Sequence, residues 1–364
     1  MTEGPINVAD FERAAAETLE AGVAGYFFGG AGDELTLGEN VAAWGRWRLR
    51  PRFLAGHREW RTGVELLGGE VSMPILVAPV AYQGLVDPEG ERGMARAARD
   101  AGTVMCLSTL ATHRPRPVAE AAPRGRRWFQ LYCFEDEAVT KAMIDEAVDC
   151  GYEAIVLTID APRGGNRERD RRTGFEIPEE IGVPSVEAAL GSGRAVTIEE
   201  TFDLMEAALS WDDLADLASE CPVPILVKGV LTAEDAALAV EHGAGGVVVS
   251  NHGGRQLDRC LATAEALPEA VDAVEGRVPV LVDGGIRRGV DVAIALALGA
   301  DAVLVGRPAL WGLAVGGEEG ARQVLELLRE ELELALALCG CATPGELDRA
   351  HVQRAPAGSL YSAH

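Results

Sequence analysis

Several features are scarce or missing in this chain, and each absence removes a class of function. Positive charge is short: 33 lysines and arginines stand against 57 aspartates and glutamates, a formal net charge of −24. Such a surface repels a phosphate backbone and the anionic face of a membrane, so neither nucleic acid nor a membrane is an expected partner. The acids are spread along helical segments instead of forming one run, and the charge is read as solubility. No apolar stretch approaches about 18 residues without interruption, and the opening MTEGPINVADFERAAAETLE lacks the basic-then-apolar pattern of an export signal. A cytoplasmic protein is expected. The final Ser362-Ala363-His364 does not match the peroxisomal address Ser-Lys-Leu. There is no C-x-x-C pair among the seven cysteines, and Cys339-Gly340-Cys341 is too tight for the usual metal or redox motif, with no histidine cluster beside it in sequence. Reduced thiols and no metal site are expected.

What the chain does have is an eightfold alternation. Its 364 residues are 48% hydrophobic with 43 glycines, enough for one large α/β barrel. Eight short apolar runs can be counted: 74–81, 104–109, 128–134, 154–161, 223–230, 246–253, 278–285 and 302–308. Their length and β-branched content predict buried parallel strands. Most are separated by amphipathic stretches ending at or near a glycine, as helices do. Eight such units, with no G-x-G-x-x-G after the first strand, predict a TIM barrel over an open dinucleotide-binding sheet. The whole of 1–364 reads as one domain. Residues 1–70 form an N-terminal extension, with a helix over NVADFERAAAETL and a small hairpin closing the barrel bottom. Residues 163–222 are too long for an ordinary connection and are read as an insertion after strand four, a lid on the catalytic face.

The most informative stretch is Ser250-Asn-His-Gly-Gly-Arg-Gln256, which follows the sixth run. It sets His252, a base near neutral pH, three positions from Arg255, whose guanidinium can hold a carboxylate through two parallel hydrogen bonds. Proton abstraction from a small carboxylic acid is the chemistry this suggests. The glycines between them keep bulk away from whatever lies over the loop, and a planar cofactor would fit there.

In a barrel the carboxyl ends of the strands form the site. The polar residues that fall there are Ser108, Gln130, Tyr132, Thr158, Asp160, Lys228, Ser250, His252, Asp283, Arg287 and Arg307, a set that implies a large, heteroatom-rich ligand. The turns Asp283-Gly284-Gly285-Ile286-Arg287 and Gly306-Arg307-Pro308 follow strands seven and eight, the usual phosphate position. Lys228 is placed to stabilise negative charge on a reduced flavin ring, or to form a structural ion pair. Asp160 is placed to orient His252, or to cap a turn. Arg167 is a candidate second clamp on the carboxylate, with Arg169, Arg171 and Arg172 as alternatives, and Tyr26 either lends its hydroxyl there or belongs to the core.

On these motifs, SNHGGRQ, VDGGIR and VGRP together with GYFFGGAG, LTIDAPRGGNRERD and LVKGV, the chain resembles the FMN-dependent L-2-hydroxy acid oxidases and dehydrogenases nearly end to end. The resemblance implies FMN as cofactor, held by Val80 and Ala81 through the backbone and by Ser108, Gln130, Thr158, Lys228, Ser250, Asp283, Gly284, Arg287, Gly306 and Arg307. It implies His252 as the base with Asp160 as its partner, Arg167 and Arg255 as carboxylate ligands, and Tyr26 and Tyr132 as substrate hydrogen-bonding groups. Leu110 stands where glycolate oxidase carries a tryptophan, and Gly164 where it carries a leucine; both changes are expected to enlarge the substrate pocket for a bulky or aromatic, mandelate-like acid. The run Pro-Val-Ala-Tyr-Gln at 79–83 resembles that of the hydroxymandelate oxidases, and Tyr82 within it either lines that pocket or packs. The resemblance also implies O2 as electron acceptor, with a quinone or protein acceptor, or a biosynthetic tailoring role, as alternatives, and a homo-oligomer, tetramer or octamer.

Overall fold

The computed structural model describes residues 4–178, 181–191 and 196–356. Eight parallel strands close into a barrel: β1 (Ile75–Val77), β2 (Val104–Leu107), β3 (Arg126–Leu131), β4 (Ile155–Thr158), β5 (Ile225–Val230), β6 (Gly246–Val249), β7 (Val280–Val282) and β8 (Ala302–Val305), with β8 pairing back onto β1. All eight expected strands are present, each shorter than its apolar run, in most cases because the run continues into the polar turn at its carboxyl end.

Strand periodicity explains how the barrel becomes a site. Inward positions alternate with positions facing the helices. The interior is filled by Leu76, Cys106, Trp128, Val156, Leu226, Val248, Leu281 and Leu304, all essentially buried. Two residues further along the same strands or the turns that follow stand Ala78, Ser108, Gln130, Thr158, Lys228, Ser250, Asp283 and Gly306. One step of the pleat therefore takes the barrel from a dry apolar layer to a mostly polar one, and that polar layer is the floor of the site.

The barrel bottom is closed by an antiparallel hairpin, Val64–Leu66 with Gly69–Val71, as expected. Leu66 and Val71 pack onto the interior cluster. Arg126 clamps the hairpin by donating to the carbonyls of Gly69 at 2.8 Å and Leu66 at 3.1 Å. The expected first helix is also found, over Val8–Thr18, with Asn7 capping it by accepting from the Asp10 amide.

The rest of the extension departs from expectation in its placement. The first half of GYFFGGAG ends a helix, Ala21–Phe28, which is followed by another, Leu35–Trp44. These two helices lie over the catalytic mouth and not at the bottom: Tyr26 and Phe27 line the cavity, and Asn40 meets the turns after β6 and β7. The insertion after β4 is confirmed, but its last helix, Trp211–Glu220, is the ordinary fourth helix of the barrel, so the inserted part ends near Ser210. Its described residues form three short helices, Glu168–Thr173, Pro184–Leu190 and Ile198–Asp203. A bridge between Phe134 and Met205 ties it to the turn after β3.

Candidate active site

The carboxyl ends of the strands surround a cavity whose empty space, including the part open to solvent, is about 1160 Å³. Its floor is a hydrogen-bonded ring. Lys228 donates to Ser250 Oγ at 2.9 Å and pairs with Asp283 at 3.1 Å. Burial opposes the lysine charge, but Asp283 and Asp160 outweigh it and raise its pKa. Ser108 Oγ and the Thr109 amide both donate to Gln130 Oε1, at 3.2 and 3.1 Å. Three buried polar atoms of this floor have no partner among the described residues: Gln130 Nε2, Thr158 Oγ1 and Asp283 Oδ1. Leaving such groups unpaired costs about 1–3 kcal/mol each, so the floor is built for a ligand with polar edges.

His252 stands at the rim, its Nδ1 2.9 Å from Asp160 Oδ1. Both residues come from turns directly after strands, β4 for Asp160 and β6 for His252. Gly229 makes their approach possible: a Cβ there would lie 2.6 Å from that of Asp160. Burial pushes the His252 pKa below its ordinary value, and Asp160 only partly restores it. Burial likewise opposes the Asp160 charge, but His252 and Lys228 hold that carboxyl below the usual range. The pair at neutral pH is therefore a neutral imidazole on a carboxylate.

Beside this pair, two arginines flank one aromatic ring. The Arg255 guanidinium lies 4.8 Å from the Tyr26 ring centre and that of Arg167 lies 5.7 Å from it. Arg255 donates to the carbonyls of Tyr26 and Gly29. Burial and the neighbouring Arg167 push its pKa down to about 10. Arg167 Nε is buried without a partner, and among the described residues neither arginine has a carboxylate within ion-pair distance. Two partly buried cations with no carboxylate in ion-pair distance, Asp170 being felt only at longer range, make a carboxylate site. The alternatives to Arg167 are engaged elsewhere: Arg169 pairs with Glu34, Arg172 with Glu168, and Arg171 donates to Asn166.

The remaining expected residues divide. Val80, Ala81, Gly284, Arg287, Gly306, Leu110 and Tyr132 all line the cavity. Arg287 lies over Trp311 at 4.7 Å, and among the described residues its guanidinium donates only to the Ile286 carbonyl, so its other donors are available to an anion. Arg307 lines the cavity as well, yet its Nε, Nη1 and Nη2 already donate to the carbonyls of Phe27, Gly253 and Gly29 at 2.7 to 2.9 Å. It ties the Ala21–Phe28 helix to the histidine loop. Gly164 is exposed, with nothing within 4 Å of where a Cβ would stand, and does not line the cavity. The glycines of the histidine loop also serve a different purpose from the one expected. A Cβ at Gly254 would lie 2.7 Å from the Leu37 amide and one at Gly253 would lie 2.8 Å from Arg307 Nη1, so they admit protein neighbours.

Other site residues carried no clear signal in the sequence. Phe202, from the insertion, joins the cavity wall. Asn40 and Asn251 exchange two hydrogen bonds of 2.7 Å, locking the Leu35–Trp44 helix onto the histidine loop. Gln256 receives the Gly165 amide and donates to the carbonyls of Asp160 and Arg163, at 2.8 to 3.1 Å. It thereby fixes the start of the insertion beside the base. Far from the site, Cys341 Sγ lies 3.5 Å from His351 Nε2, a histidine neighbour that spacing did not reveal. Burial pushes that thiol up to about 11. No metal-ligating cluster occurs among the described residues.

The family model for FMN-dependent dehydrogenases matches residues 15–354. The chain belongs to that family. It is 45% identical over 353 residues to an L-lactate oxidase of Nostoc sp., covering 94% of this chain and 97% of that protein. It is 43% identical over 362 residues to 2-hydroxyacid oxidase 1 of Homo sapiens, covering 96% and 97%. A crystal structure of mandelate oxidase with (S)-4-hydroxymandelic acid superposes with a TM-score of 0.91 at 42% identity, covering 96% of this chain and 99% of that one. The chain is thus a flavin oxidoreductase with FMN as cofactor. Its cavity suits that group: the unpaired floor atoms offer donors and acceptors to a polar ring edge, and Arg287 and the start of the helix Arg307–Cys339 offer positive charge to a phosphate.

Proposed function

We propose that this protein oxidises an (S)-2-hydroxy acid with a bulky or aromatic side chain, such as mandelate, to the 2-oxo acid, and passes the electrons to O2 to form H2O2. The observation that carries the proposal is a carboxylate-paired histidine, His252 on Asp160 at 2.9 Å, beside two partly buried arginines with no carboxylate in ion-pair distance among the described residues. Fold similarity alone would not assign this chemistry.

With Nδ1 hydrogen shared with Asp160, His252 presents Nε2 as the proton acceptor for the substrate hydroxyl. Its depressed pKa keeps the imidazole neutral and ready at pH 7. The ionised Asp160 then stabilises the imidazolium formed on proton uptake. Arg167 and Arg255 hold the carboxylate, and Tyr26 and Tyr132 donate hydrogen bonds to the bound acid. Burial and the nearby Asp160 raise the Tyr132 phenol well above its usual range, so it remains a donor. When bound, FMN supplies the two-electron acceptor that oxidation of the carbinol carbon requires. Ser108, Gln130, Thr158, Lys228, Ser250 and Asp283 would hold its ring, with Val80 and Ala81 contributing backbone groups. Gly284, Arg287, Gly306 and Arg307 would surround the phosphate, Arg307 chiefly through its amide and its charge. The case for a roomy pocket rests on Leu110, since Gly164 lies outside the cavity and Phe202 takes part of the wall. A cytoplasmic homo-oligomer, tetramer or octamer, completes the proposal.

An anaerobic visible spectrum of the purified protein before and after adding (S)-mandelate tests it. Bleaching of a yellow flavin supports cofactor, reaction class and pocket size together. A flavin that stays oxidised with mandelate but bleaches with lactate or glycolate overturns the bulky-substrate part alone. In air, less than one peroxide formed per acid consumed would favour a quinone or protein acceptor instead of O2.

A further inference from the structure

Of Arg287 and Arg307, only Arg287 has side-chain donors left for an anion, because Arg307 donates to the carbonyls of Phe27, Gly253 and Gly29. Among the described residues no carboxylate lies within ion-pair distance of Arg287, whereas the adjacent Arg288 pairs with Glu331 at 3.0 Å. A long side chain so free loses much rotamer freedom when it closes on a ligand. Arg287 is restrained by a ring instead of a carboxylate. Its guanidinium carbon lies 4.7 Å from the centre of the Trp311 ring. Trp311 belongs to the start of the helix Arg307–Cys339, whose first residues, Arg307 and Pro308, line the cavity with Arg287. Trp311 does not line it, so the indole backs the guanidinium without entering the ligand's space.

The choice of tryptophan carries a cost. Trp311 is 1% exposed, and its Nε1 is buried with no hydrogen-bond partner among the described residues. A buried indole N–H ordinarily finds a partner, and a leucine or phenylalanine would fill the same core without orphaning one. What the indole offers over either is the ring face that attracts a cation most strongly. That face is itself held: the Phe28 ring centre lies 5.5 Å from that of Trp311, with the planes 34° apart. Burial pushes the Arg287 pKa below its ordinary value, and Glu12 and Asp291 offset this only in part. A cation removed from water in this way gains more from a π face than an exposed one does.

We infer that Trp311 is a positioning residue for the cofactor: its indole face fixes the Arg287 guanidinium at the cavity edge, so that the arginine meets the phosphate of FMN already ordered. The inference rests on the reading of Arg287 as a phosphate ligand. Preorganisation of this kind raises affinity by lowering the ordering cost of binding. It acts on the phosphate alone, since the groups that would hold the flavin ring, Lys228, Ser250 and Asp283 among them, are fixed by one another.

The test measures the Kd of the flavin-stripped full-length chain for FMN and for riboflavin, which lacks the phosphate, by titration followed in flavin fluorescence. Trp311→Leu should raise the FMN Kd by about tenfold and leave the riboflavin Kd within about twofold of wild type. Arg287→Met should reduce the preference for FMN over riboflavin at least as far. Adding Trp311→Leu to Arg287→Met should then change the FMN Kd by no more than about twofold, because the tryptophan acts through the arginine. Unchanged FMN binding in Trp311→Leu, equal losses for both flavins, or losses that multiply in the double variant overturn the inference and leave Arg287 as a phosphate ligand. If Arg287→Met keeps the wild-type preference, the reading of that arginine fails, and this inference fails with it. Should Trp311→Leu not fold, Trp311→Phe takes its place: its weaker π face predicts a loss of about threefold, again for FMN only, and no loss or an equal loss for both flavins overturns the inference.

Discussion

On the floor of the cavity, Ser108, Gln130, Lys228, Ser250 and Asp283 are held by one another's side chains, across adjacent strands or, for Lys228 and Asp283, across the strand between them. On the rim, Arg255 and Arg307 are held by backbone carbonyls of Tyr26, Phe27 and Gly29, at the end of a helix from a distant part of the chain. The floor inherits its geometry from barrel register, which eight hydrogen-bonded strands make stiff. The rim depends on how the Ala21–Phe28 helix and the insertion after β4 dock. A cofactor that stays in place suits the first kind of construction, and a substrate that must enter and leave suits the second.

The contrast predicts separable failures. The largest effect on activity is expected at the rim: His252→Ala should retain FMN while flavin reduction by (S)-mandelate falls by about 10³- to 10⁴-fold, measured by stopped flow; a rate near wild type would remove the base from the mechanism. The largest effect on stability is expected at the floor. Lys228→Met leaves Asp283 buried and unpaired, at about 3–5 kcal/mol, so the variant should lose FMN on gel filtration and melt well below the wild type. Retention of both would show that the floor does not depend on its ion pair. Next comes Asp160→Ala. Because Asp160 raises the His252 pKa against the larger effect of burial, its removal should lower that pKa further. The active form is the deprotonated imidazole, so the acidic limb of kcat/KM should move to lower pH while the plateau drops by about 10²-fold. A limb that moves to higher pH would mean that another group titrates in it.

The same contrast decides what could be read from the chain. Floor residues were legible because a strand's inward positions recur every second residue, so Gln130 follows from Trp128 and Asp283 from Leu281 without knowledge of any partner. The rim was legible where the Ser250–Gln256 motif carried it, as for His252 and Arg255, and only the resemblance chose among the alternatives for Tyr26 and Arg167, because helix packing over a barrel mouth leaves no local period. That is why GYFFGGAG did not reveal a helix, why the Leu35–Trp44 helix over the histidine loop was not foreseen, and why Gly164 was given a pocket role that its exposed position does not support. The glycines of the histidine loop were rightly picked out as sites of close approach, but sequence could not say that the approaching groups were Leu37 and Arg307.

The finest test of the division concerns Gln256, which belongs to the histidine loop yet does not itself line the cavity. Its side chain spans the joint between floor and rim, accepting from Gly165 and donating to the carbonyls of Asp160 and Arg163. Gln256→Ala removes three neutral hydrogen bonds, each contributing about 0.5–1.5 kcal/mol net, and frees the segment that carries Arg167 without altering His252 or the flavin floor. If rim geometry is set by such joints, KM for (S)-mandelate should rise by about tenfold, with kcat changed much less and FMN content unchanged. If the variant instead loses kcat in proportion and leaves KM alone, the joint acts on Asp160 and the base and not on the segment that holds the substrate carboxylate.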